Sequence, residues 1–315
     1  MDINEARGIF SAIKENIQKK IVGKDEAIEN VLIALACGGH ILIEDVPGLG
    51  KTTLVSALAK SIDCSFGRIQ FTPDVLPSDV TGFTMFDMKT GEKEFHKGAI
   101  MSHIVLADEI NRTSPKTQSA LLEAMQERRV TVDGETHVLP SPFMVLATQN
   151  PVELIGTYLL PEAQLDRFLM RISMGYPGRD EEVNILNRSK SGELDGELGV
   201  VATDRQIIEL QEYIGQVKCI DKLLDYIVEL ARKTRESEDV SLGVSPRGSI
   251  ALMRASMARA VLEGRDYVIP DDIQTMAEPV LSHRIVMNAQ SSIKEKTAAT
   301  EIKAVLRAVP VPAVL

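Results

Sequence analysis

The stretch from residue 41 to residue 61 constrains the fold of this chain more than any other. Four strand-forming residues, Ile41-Leu42-Ile43-Glu44, lead into the glycine-rich loop DVPGLG (45–50), and the helical pattern KTTLVSALAKS follows directly. This order forms a cradle for phosphate groups, because glycines let backbone N–H groups turn inward at the positive end of a helix. An α/β protein that binds a polyphosphate is therefore predicted.

Residues of the glycine-rich loop have separate predicted tasks. Gly48 and Gly50 allow the turn, Lys51 reaches the terminal phosphates, and the Thr52 hydroxyl is a ligand for Mg²⁺. The residues predicted to contact a bound nucleotide here are Pro47, Gly48, Leu49, Gly50, Lys51, Thr52 and Thr53. The general pattern GxxxxGK[ST] has glycine where this chain has Asp45, so a glycine-rich turn with a chance Lys-Thr pair remains the alternative.

Alternation of strands and helices predicts the architecture. Short apolar runs recur at Ile41–Glu44, Arg68–Phe71, Ile104–Ala107, Phe143–Ala147 and Leu169–Ser173. Helical periods between most of them predict a mainly parallel sheet covered on both faces, with ligands at the carboxyl ends of the strands. Beyond residue 178 the strand signal disappears, and helical spacing recurs in 205–217, 221–235, 246–263 and 270–282. For this chain of 315 residues we predict an αβα domain over 1–177 and an all-α domain over 178–315, with 189–204 as a connection.

Two further strands end in polar residues. The run Ile104–Ala107 presents Asp108, expected to hold Mg²⁺ through water, and Glu109, expected to polarise an attacking water. The next strand ends at Asn150, which could report the state of a γ-phosphate. Taken alone, an acidic strand end is a common solvated feature and Asn-Pro is a frequent turn opener. Only the combination with the glycine-rich loop favours a catalytic site.

Charge and hydropathy restrict the partners and the compartment. The chain has 35 Lys and Arg against 45 Asp and Glu, a net charge of −10, so a nucleic-acid partner is disfavoured. Its longest apolar run, Val31 to Cys37, is too short to span a membrane. The start, MDINEARGIF, lacks the basic and apolar regions of a secretion signal, which predicts a cytoplasmic protein.

Several long stretches carry a family resemblance. They are IVGKDEAIENVLIALACGGHILIEDVPGLGKT, QFTPDVLPSDVTGF, ADEINRTSPKTQSALLEAMQERRVTVDG, VLATQNPVELIGTYLLPEAQLDRFLM and GVSPRGS. In this order they resemble the MoxR family of AAA+ ATPases over nearly the whole chain. The resemblance implies an AAA+ P-loop αβα sandwich with a five-stranded parallel sheet and a C-terminal α-helical lid, binding ATP or ADP with Mg²⁺. It further implies Lys51 and Thr52 as Walker A, Asp108 and Glu109 as Walker B, and Asn150 as sensor 1.

Other site residues follow from the resemblance alone. Ile21, Val22 and Gly23 resemble the segment that cups the adenine, although an ordinary boundary between helix and loop is the alternative interpretation. Arg167 resembles an arginine finger that reaches the γ-phosphate of a neighbouring subunit, and Arg247 resembles sensor 2. Spacing alone makes both arginines surface residues, with Arg167 in an ion pair with Asp166 at a helix end. Whether Arg247 acts in its own subunit or the next stays open.

Two hairpins resemble inserts of this family. Residues 70–100 contain Pro73 and Pro77 and then a hairpin predicted to turn at Thr90-Gly91, and they resemble a helix-2 insert. Residues 130–139 alternate around Asp133-Gly134 and resemble a pre-sensor-1 hairpin. In related rings such loops contact the client, but mobile surface hairpins without a partner are the alternative.

The function implied by the resemblance is a chaperone-like motor. It would assemble as a homo-oligomer, most readily a hexameric ring, because a finger supplied by a neighbour completes each site. Its client would be a protein with a von Willebrand factor A domain or a metalloenzyme under maturation. Two other interpretations remain: a nucleotide-gated switch or scaffold with negligible hydrolysis, and a DNA-directed AAA+ ring ATPase.

Overall fold

The computed structural model describes residues 1–86, 93–150, 157–293 and 295–313. Up to residue 172 the helices and strands are, in chain order, α1 (Ile3–Gln18), α2 (Asp25–Ala36), β1 (Ile41–Glu44), α3 (Lys51–Ser61), β2 (Phe66–Gln70), α4 (Pro77–Thr81), β3 (Gly82–Phe86), β4 (Lys93–Lys97), β5 (Ile104–Asp108), α5 (Pro115–Glu127), β6 (Arg129–Val132), β7 (Glu135–Val138), β8 (Met144–Gln149), α6 (Glu162–Leu165) and β9 (Met170–Ile172).

The remainder of the described chain is mainly helical. Its elements are α7 (Arg179–Ser191), α8 (Asp204–Ile214), α9 (Asp221–Glu236), β10 (Val240–Leu242), α10 (Pro246–Leu262), α11 (Pro270–Leu281), β11 (Val286–Met287), α12 (Ala289–Ile293) and α13 (Ala298–Ala308). Side chains fix several helix starts: Asp2 and Glu5 form a capping box at α1, and Ser245 caps α10 before a proline at its first position.

The five central strands form one parallel sheet in the order β2-β5-β8-β1-β9. Their register aligns Gln70 with Asp108 and Glu44 with Gln149, so the polar strand ends share the carboxyl edge of the sheet. The three inner strands β5, β8 and β1 are buried on both faces, because alternate residues such as Ile43 and Leu42 belong to different hydrophobic clusters. The edge strand β2 alternates exposed and buried residues. The α/β sandwich with a five-stranded parallel sheet is confirmed.

Helices cover the sheet on its two faces. One cluster joins the sheet to α1, α2 and α3 and continues without a break into α8 to α11 and α13. The other joins it to α5 and to the segment around Phe168. The helical second half thus packs directly on the layer made by α1 and α2.

The second half differs from the sequence expectation in two places. Helix α7 occupies 179–191, where the connection was expected to begin at residue 189, and every side chain it carries is exposed or half-buried. A helix without a buried face shows no apolar period. The lid is also not purely α-helical, because β10 and β11 pair antiparallel as a two-stranded sheet. The division into domains at residue 177 stays a prediction.

In both predicted hairpins the two strands pair with each other. Strands β3 and β4 pair antiparallel, while their predicted turn at Thr90-Gly91 lies outside the described residues. Strands β6 and β7 pair around Asp133 and Gly134, whose φ angles are 50° and 86°. These positive values are those of a type I′ turn.

Candidate functional site

The glycine-rich loop connects the buried strand β1 to the start of α3. Gly48 and Gly50 have φ of 85° and 86°, a left-handed conformation that only glycine adopts without strain. A Cβ at Gly48 would have no neighbour within 4 Å, so the side of the loop at Gly48 is open. The Lys51 Nζ lies over the loop and donates to the carbonyl oxygens of Asp45 at 3.0 Å and Val46 at 3.3 Å.

Asp45, the departure from the general phosphate-loop pattern, holds the start of the loop in place. Its buried carboxylate accepts hydrogen bonds from the Ser173 hydroxyl at 2.7 Å, from the Met174 backbone N–H, and from the Gly175 backbone N–H at 3.2 Å. These donors follow β9, the edge strand beside β1. The aspartate therefore fastens the loop to the neighbouring strand exit, a role that the sequence pattern did not indicate.

Asp108 ends β5 and is bonded on both carboxylate oxygens. The Thr148 hydroxyl donates to its Oδ1 and Arg68 to its Oδ2, each at 2.7 Å. Thr148 is fully buried at the end of β8 and so ties the acidic strand end to the neighbouring strand. Neither partner was expected, although Thr148 lies in the quoted stretch VLATQN.

Glu109 follows directly and has an unusual backbone. Its φ of 58° and ψ of 49° are left-handed, a conformation that costs a non-glycine residue about 1–2 kcal/mol. The Glu109 N–H donates to the Thr148 hydroxyl at 2.9 Å, while Oε2 accepts from Gln70 at 3.1 Å and from Arg112 at 2.9 Å. Gln70 was missed because it is distant from Glu109 in the sequence. Arg112 follows Glu109 by only three residues, but this segment was not predicted to be helical, so the spacing gave no signal.

One cavity of about 460 Å³ brings together most of the residues predicted from the glycine-rich loop and the polar strand ends; we call it the loop cavity. Its lining includes Pro47, Gly48, Gly50, Lys51, Thr52, Thr53, Asp108, Glu109, Asn150, Gln70, Arg68 and Thr148. The glycine-rich loop, the acidic end of β5 and Asn150 thus share one opening at the carboxyl edge of the sheet.

A second cavity of about 340 Å³ adjoins the loop cavity through Gly48, Gly50 and Thr53. Its lining is more apolar and includes Ile21, Val22, Leu49, Pro177, Ile185 and Leu194. Gly23 does not line it. A Cβ there would stand 2.1 Å from the Glu181 carboxyl carbon, so Gly23 leaves room for the Glu181 side chain in this arrangement.

These two cavities fit a nucleotide bound with Mg²⁺. The loop turns its backbone at two left-handed glycines, and Lys51 adds a cation beside it. The Thr52 hydroxyl and the Asp108 carboxylate are oxygen ligands of the kind Mg²⁺ prefers. The second, more apolar cavity, which Val22 and Leu49 line, suits the flat base of a nucleotide.

Arg167 and Arg247 lie outside the loop cavity, and both line one other cavity. This cavity has a volume of about 250 Å³; we call it the arginine cavity, and its lining shares no residue with the loop cavity. The ionisable side chains of its lining, histidine and cysteine apart, are Arg128, Arg167, Arg247, Arg254, Arg284 and Asp166. Five guanidinium groups therefore face one carboxylate, in a chain whose net charge is −10.

The arginine cavity sits at the opposite edge of the sheet from the loop cavity. Its lining includes Gly39 and His40, just before β1, and Leu169, just before β9. The glycine-rich loop follows the other end of β1. Four residues of strand, about 13 Å, therefore separate the two edges.

Four of the five arginines are bonded within the protein. Arg128 donates to the Gly38 carbonyl and Arg254 to the Cys37 carbonyl at the end of α2, each at 2.7 Å. Arg284 pairs with Asp166 at 2.8 Å, so the expected ion pair between Asp166 and Arg167 is wrong. Arg167 instead donates from Nη1 to the Leu122 carbonyl at 2.8 Å, and Arg247 is exposed at the start of α10.

A ring stack joins the two hairpins. Phe95 of β4 and His137 of β7 stack with centroids 3.7 Å apart and planes 7° apart. On β3, the apolar side chains of Phe83, Met85 and Phe86 are exposed. The hairpins thus contact each other and together present apolar surface next to basic residues of β4.

The sheet order, the loop after β1 and the acidic end of β5 beside the polar end of β8 define the class of AAA+ ATPases. Two family descriptions agree: "ATPase family associated with various cellular activities (AAA)" matches residues 40–170, and "AAA lid domain" matches residues 232–305.

Individual relatives narrow the class. The chain is 53% identical to YeaC of Bacillus subtilis over 298 residues, 95% of this chain and 93% of that protein. It is 39% identical to the chaperone MoxR1 of Mycobacterium tuberculosis over 307 residues, 95% of this chain and 81% of that protein. A crystal structure of a protein from Cytophaga hutchinsonii superposes with a TM-score of 0.92 at 39% identity, covering 99% of this chain and 97% of the other. The chain belongs to the MoxR family of AAA+ ATPases.

Proposed function

We propose that this protein hydrolyses ATP in a Mg²⁺-dependent reaction, within an oligomeric ring, to remodel, mature or activate a partner protein. The observation that carries the proposal is the separation of two complementary cavities. The loop cavity holds Lys51, Asp108, Glu109 and Asn150 but no finger arginine, while Arg167 lines the arginine cavity. Hydrolysis would need the residues of both cavities, and in this proposal a second copy of the chain supplies Arg167 to the loop cavity.

Side chains of the loop cavity would divide the reaction among them. The glycine-rich loop and Lys51 bind the phosphates, and Glu109 orients the attacking water in line with the γ-phosphate. Asn150 contacts that water or the phosphate it attacks. Thr52 would hold Mg²⁺ directly and Asp108 through water, and the ion, when bound, neutralises phosphate charge.

The present partners of Glu109 leave one of its carboxylate oxygens for this task. Gln70 and Arg112 both donate to its Oε2 in the structure. The other oxygen, Oε1, would accept from the attacking water. Gln70 and Arg112 would then hold the carboxylate in place during hydrolysis.

A neighbouring subunit would complete the site. The cavity that contains Arg167 and Arg247 lies at one end of β1, and the glycine-rich loop of the same chain lies at the other end. This separation favours action in trans for both arginines. Such a contact joins two different surfaces of one chain, and repetition of it closes a ring when the rotation permits, here most readily a hexamer. A finger of this kind contributes about 10³–10⁵ in kcat in other nucleoside triphosphatases.

The client would bind at the two hairpins. Exposed Phe83, Met85 and Phe86 supply apolar contact area, and the stack of Phe95 on His137 makes the hairpins move together. The relative named chaperone MoxR1 supports a protein client. We propose a von Willebrand factor A domain protein or a metalloenzyme under maturation, in the cytoplasm, rather than a nucleic acid, which the charge of −10 repels.

Glu109→Gln tests the catalytic part of the proposal. We expect ATP binding to remain and phosphate release to fall by at least about 10²-fold, because the amide cannot polarise water as a carboxylate does. Lys51→Ala should lose ATP binding itself. Phosphate release with excess Mg²⁺ and with EDTA, together with binding of a fluorescent ATP analogue, separates these effects.

Glu212→Gln, an exposed change on α8, is the matched control and should leave both quantities as in the native protein. Equal phosphate release by the native protein and by Glu109→Gln would contradict the proposed reaction. Loss of activity in Glu212→Gln would show instead that the assay responds to unspecific damage.

Among the described residues no helix combines the length and the apolar character that crossing a bilayer requires.

A further inference from the structure

Asp166 contacts the segments that carry Arg167 and Arg247. The proposed function assigns these two arginines to the nucleotide of a neighbouring subunit. Asp166 directly precedes Arg167 in the chain. Its Oδ1 accepts from Arg284 Nε at 2.8 Å, and its Oδ2 accepts from the Ser245 hydroxyl at 3.2 Å. One carboxylate therefore connects the Arg167 segment to two separate parts of the helical half.

Arg284 makes this connection rigid. Its side chain is only 3% exposed, and its guanidinium also donates to the carbonyl oxygens of Phe168 at 2.6 Å and Leu169 at 3.0 Å, and to that of Val280 in α11. Burial lowers the pKa of Arg284 to about 10, with Asp166 opposing that shift, so the group is charged at neutral pH. The planar guanidinium thus donates hydrogen bonds to residues 166–169 and to the end of α11 at the same time.

Ser245 connects the same carboxylate to Arg247. It is the N-cap of α10, and its hydroxyl also accepts from the Gly248 N–H at 3.4 Å. Gly248 follows Arg247, and a Cβ on it would stand 3.0 Å from Arg284 Cδ and 2.6 Å from a methyl of Val244. Arg284 therefore packs against the first turn of α10 at a place where only glycine leaves room.

We propose that Asp166, Ser245 and Arg284 are positioning residues that hold Arg167 and Arg247 in one fixed arrangement for the nucleotide of the neighbouring subunit. This inference rests on the proposed function, and in particular on the finger acting in trans. In this proposal the three residues act by fixing the backbone on which each arginine stands, and catalytic groups lose rate steeply when displaced by about 1 Å.

Asp166→Asn is the variant of choice, because Arg284→Ala removes a buried partner of several carbonyl groups and endangers folding. The amide keeps the size of the side chain and loses the charge that attracts Arg284. We expect ATP affinity in the variant's own loop cavity to be unchanged and kcat to fall about 10–100-fold. Ser245→Ala, which removes one hydroxyl, should lower kcat in the same direction by a smaller factor.

Mixed oligomers separate a positioning role from a structural one. Asp166→Asn chains have an intact loop, and Lys51→Ala chains have an intact finger, so an equal mixture restores about a quarter of the interfaces. Activity should reappear in the mixture although each variant alone is nearly inactive. A lesion that only damaged the Asp166→Asn chain's own site would not be complemented.

Asp272→Asn is the matched control. Asp272 is a lid carboxylate, 2% exposed, paired with Arg265 at 2.7 Å, and it lines neither cavity. It should lower thermal stability while kcat remains. If Asp272→Asn loses kcat in the same way, or if Asp166→Asn and Ser245→Ala both keep native kcat, the positioning role is wrong.

Arg167→Ala mixed with Lys51→Ala distinguishes the two levels of the proposal. Complementation of Arg167→Ala but not of Asp166→Asn, in mixtures shown to contain both chains, overturns only the positioning role. Failure of both overturns the trans finger, and the positioning role with it. Complementation of both supports the assignment.

Discussion

At the scale of single residues, Asp45 shows how a departure from a motif can be structural. The sequence places an aspartate where the general phosphate-loop pattern has glycine, and its carboxylate binds three donors of the segment that follows β9. Its own carbonyl oxygen accepts from Lys51. One residue thus sets both the entry of the loop and the resting place of the lysine.

Asp45→Asn is expected to lower the free energy of unfolding by about 1–3 kcal/mol, because an amide leaves one of the buried N–H or O–H donors without an acceptor. ATP affinity should also fall, since the loop loses its attachment to the edge strand. Urea unfolding and titration with a fluorescent ATP analogue measure the two effects. Asp63→Asn, an exposed aspartate at the end of α3 whose left-handed φ of 52° suits asparagine, should change neither. Native-like ATP binding in Asp45→Asn would contradict this account of the loop.

Among the site residues, those in one continuous motif could be predicted and those joined across strands could not. Lys51, Thr52, Asp108 and Asn150 all line the loop cavity as expected. Gln70 meets Glu109 only because the parallel register places the ends of β2 and β5 side by side. That register depends on packing between distant segments, which a single sequence does not display.

At the scale of elements, burial decides what the sequence could predict. β1 was predicted at its observed limits, Ile41–Glu44, because an apolar strand next to a glycine-rich loop is unambiguous. Helix α7 has no buried residue, so it lacks the apolar spacing that identifies helices. The short strands β10 and β11 pair across more than forty residues of chain, and neither is long enough for an alternating pattern.

His40 connects the start of β1 to the helix α5 and to the strand β8, and it is neutral at neutral pH. Its buried ring lies just before β1, with Nε2 at 3.1 Å from the Met125 carbonyl of α5. The Val145 N–H of β8 donates to Nδ1 at 3.0 Å, so Nε2 carries the proton and donates to Met125. Burial, with the nearby charge of Arg128, lowers the pKa of His40 to about 4.

Stability should therefore fall on acidification through a defined range. Between the ordinary histidine pKa of 6.5 and about 4, the unfolded chain binds a proton that folded His40 does not. The free energy of unfolding should decrease by about 3 kcal/mol across this range from this group alone, and no further below it. Urea unfolding of the native protein and of His40→Gln at several pH values tests this, since the variant should have the flatter profile. Parallel profiles would show that His40 titrates normally in the folded protein.

At the scale of the whole molecule, charge and topology support the proposed head-to-tail assembly. The loop cavity lies at the carboxyl edge of the sheet and the arginine cavity at the amino edge, so a chain offers its phosphate site on one side and its arginines on the other. The five arginines concentrate positive charge in an acidic protein. In the proposed assembly, bound triphosphate of one copy would be the complementary partner for that charge on the next copy. Because the two surfaces differ, such a contact would be heterologous and could close a ring.

The most direct test of this account is turnover per chain measured against protein concentration, with the mass in solution determined on the same samples. We expect turnover to rise steeply over the range in which oligomers form, and to reach a plateau when assembly is complete. Arg167→Ala should form the same oligomers and bind ATP, yet remain inactive throughout. Equal turnover per chain in dilute monomers and in the assembled protein would contradict the central claim, because it would show that one copy contains the whole site.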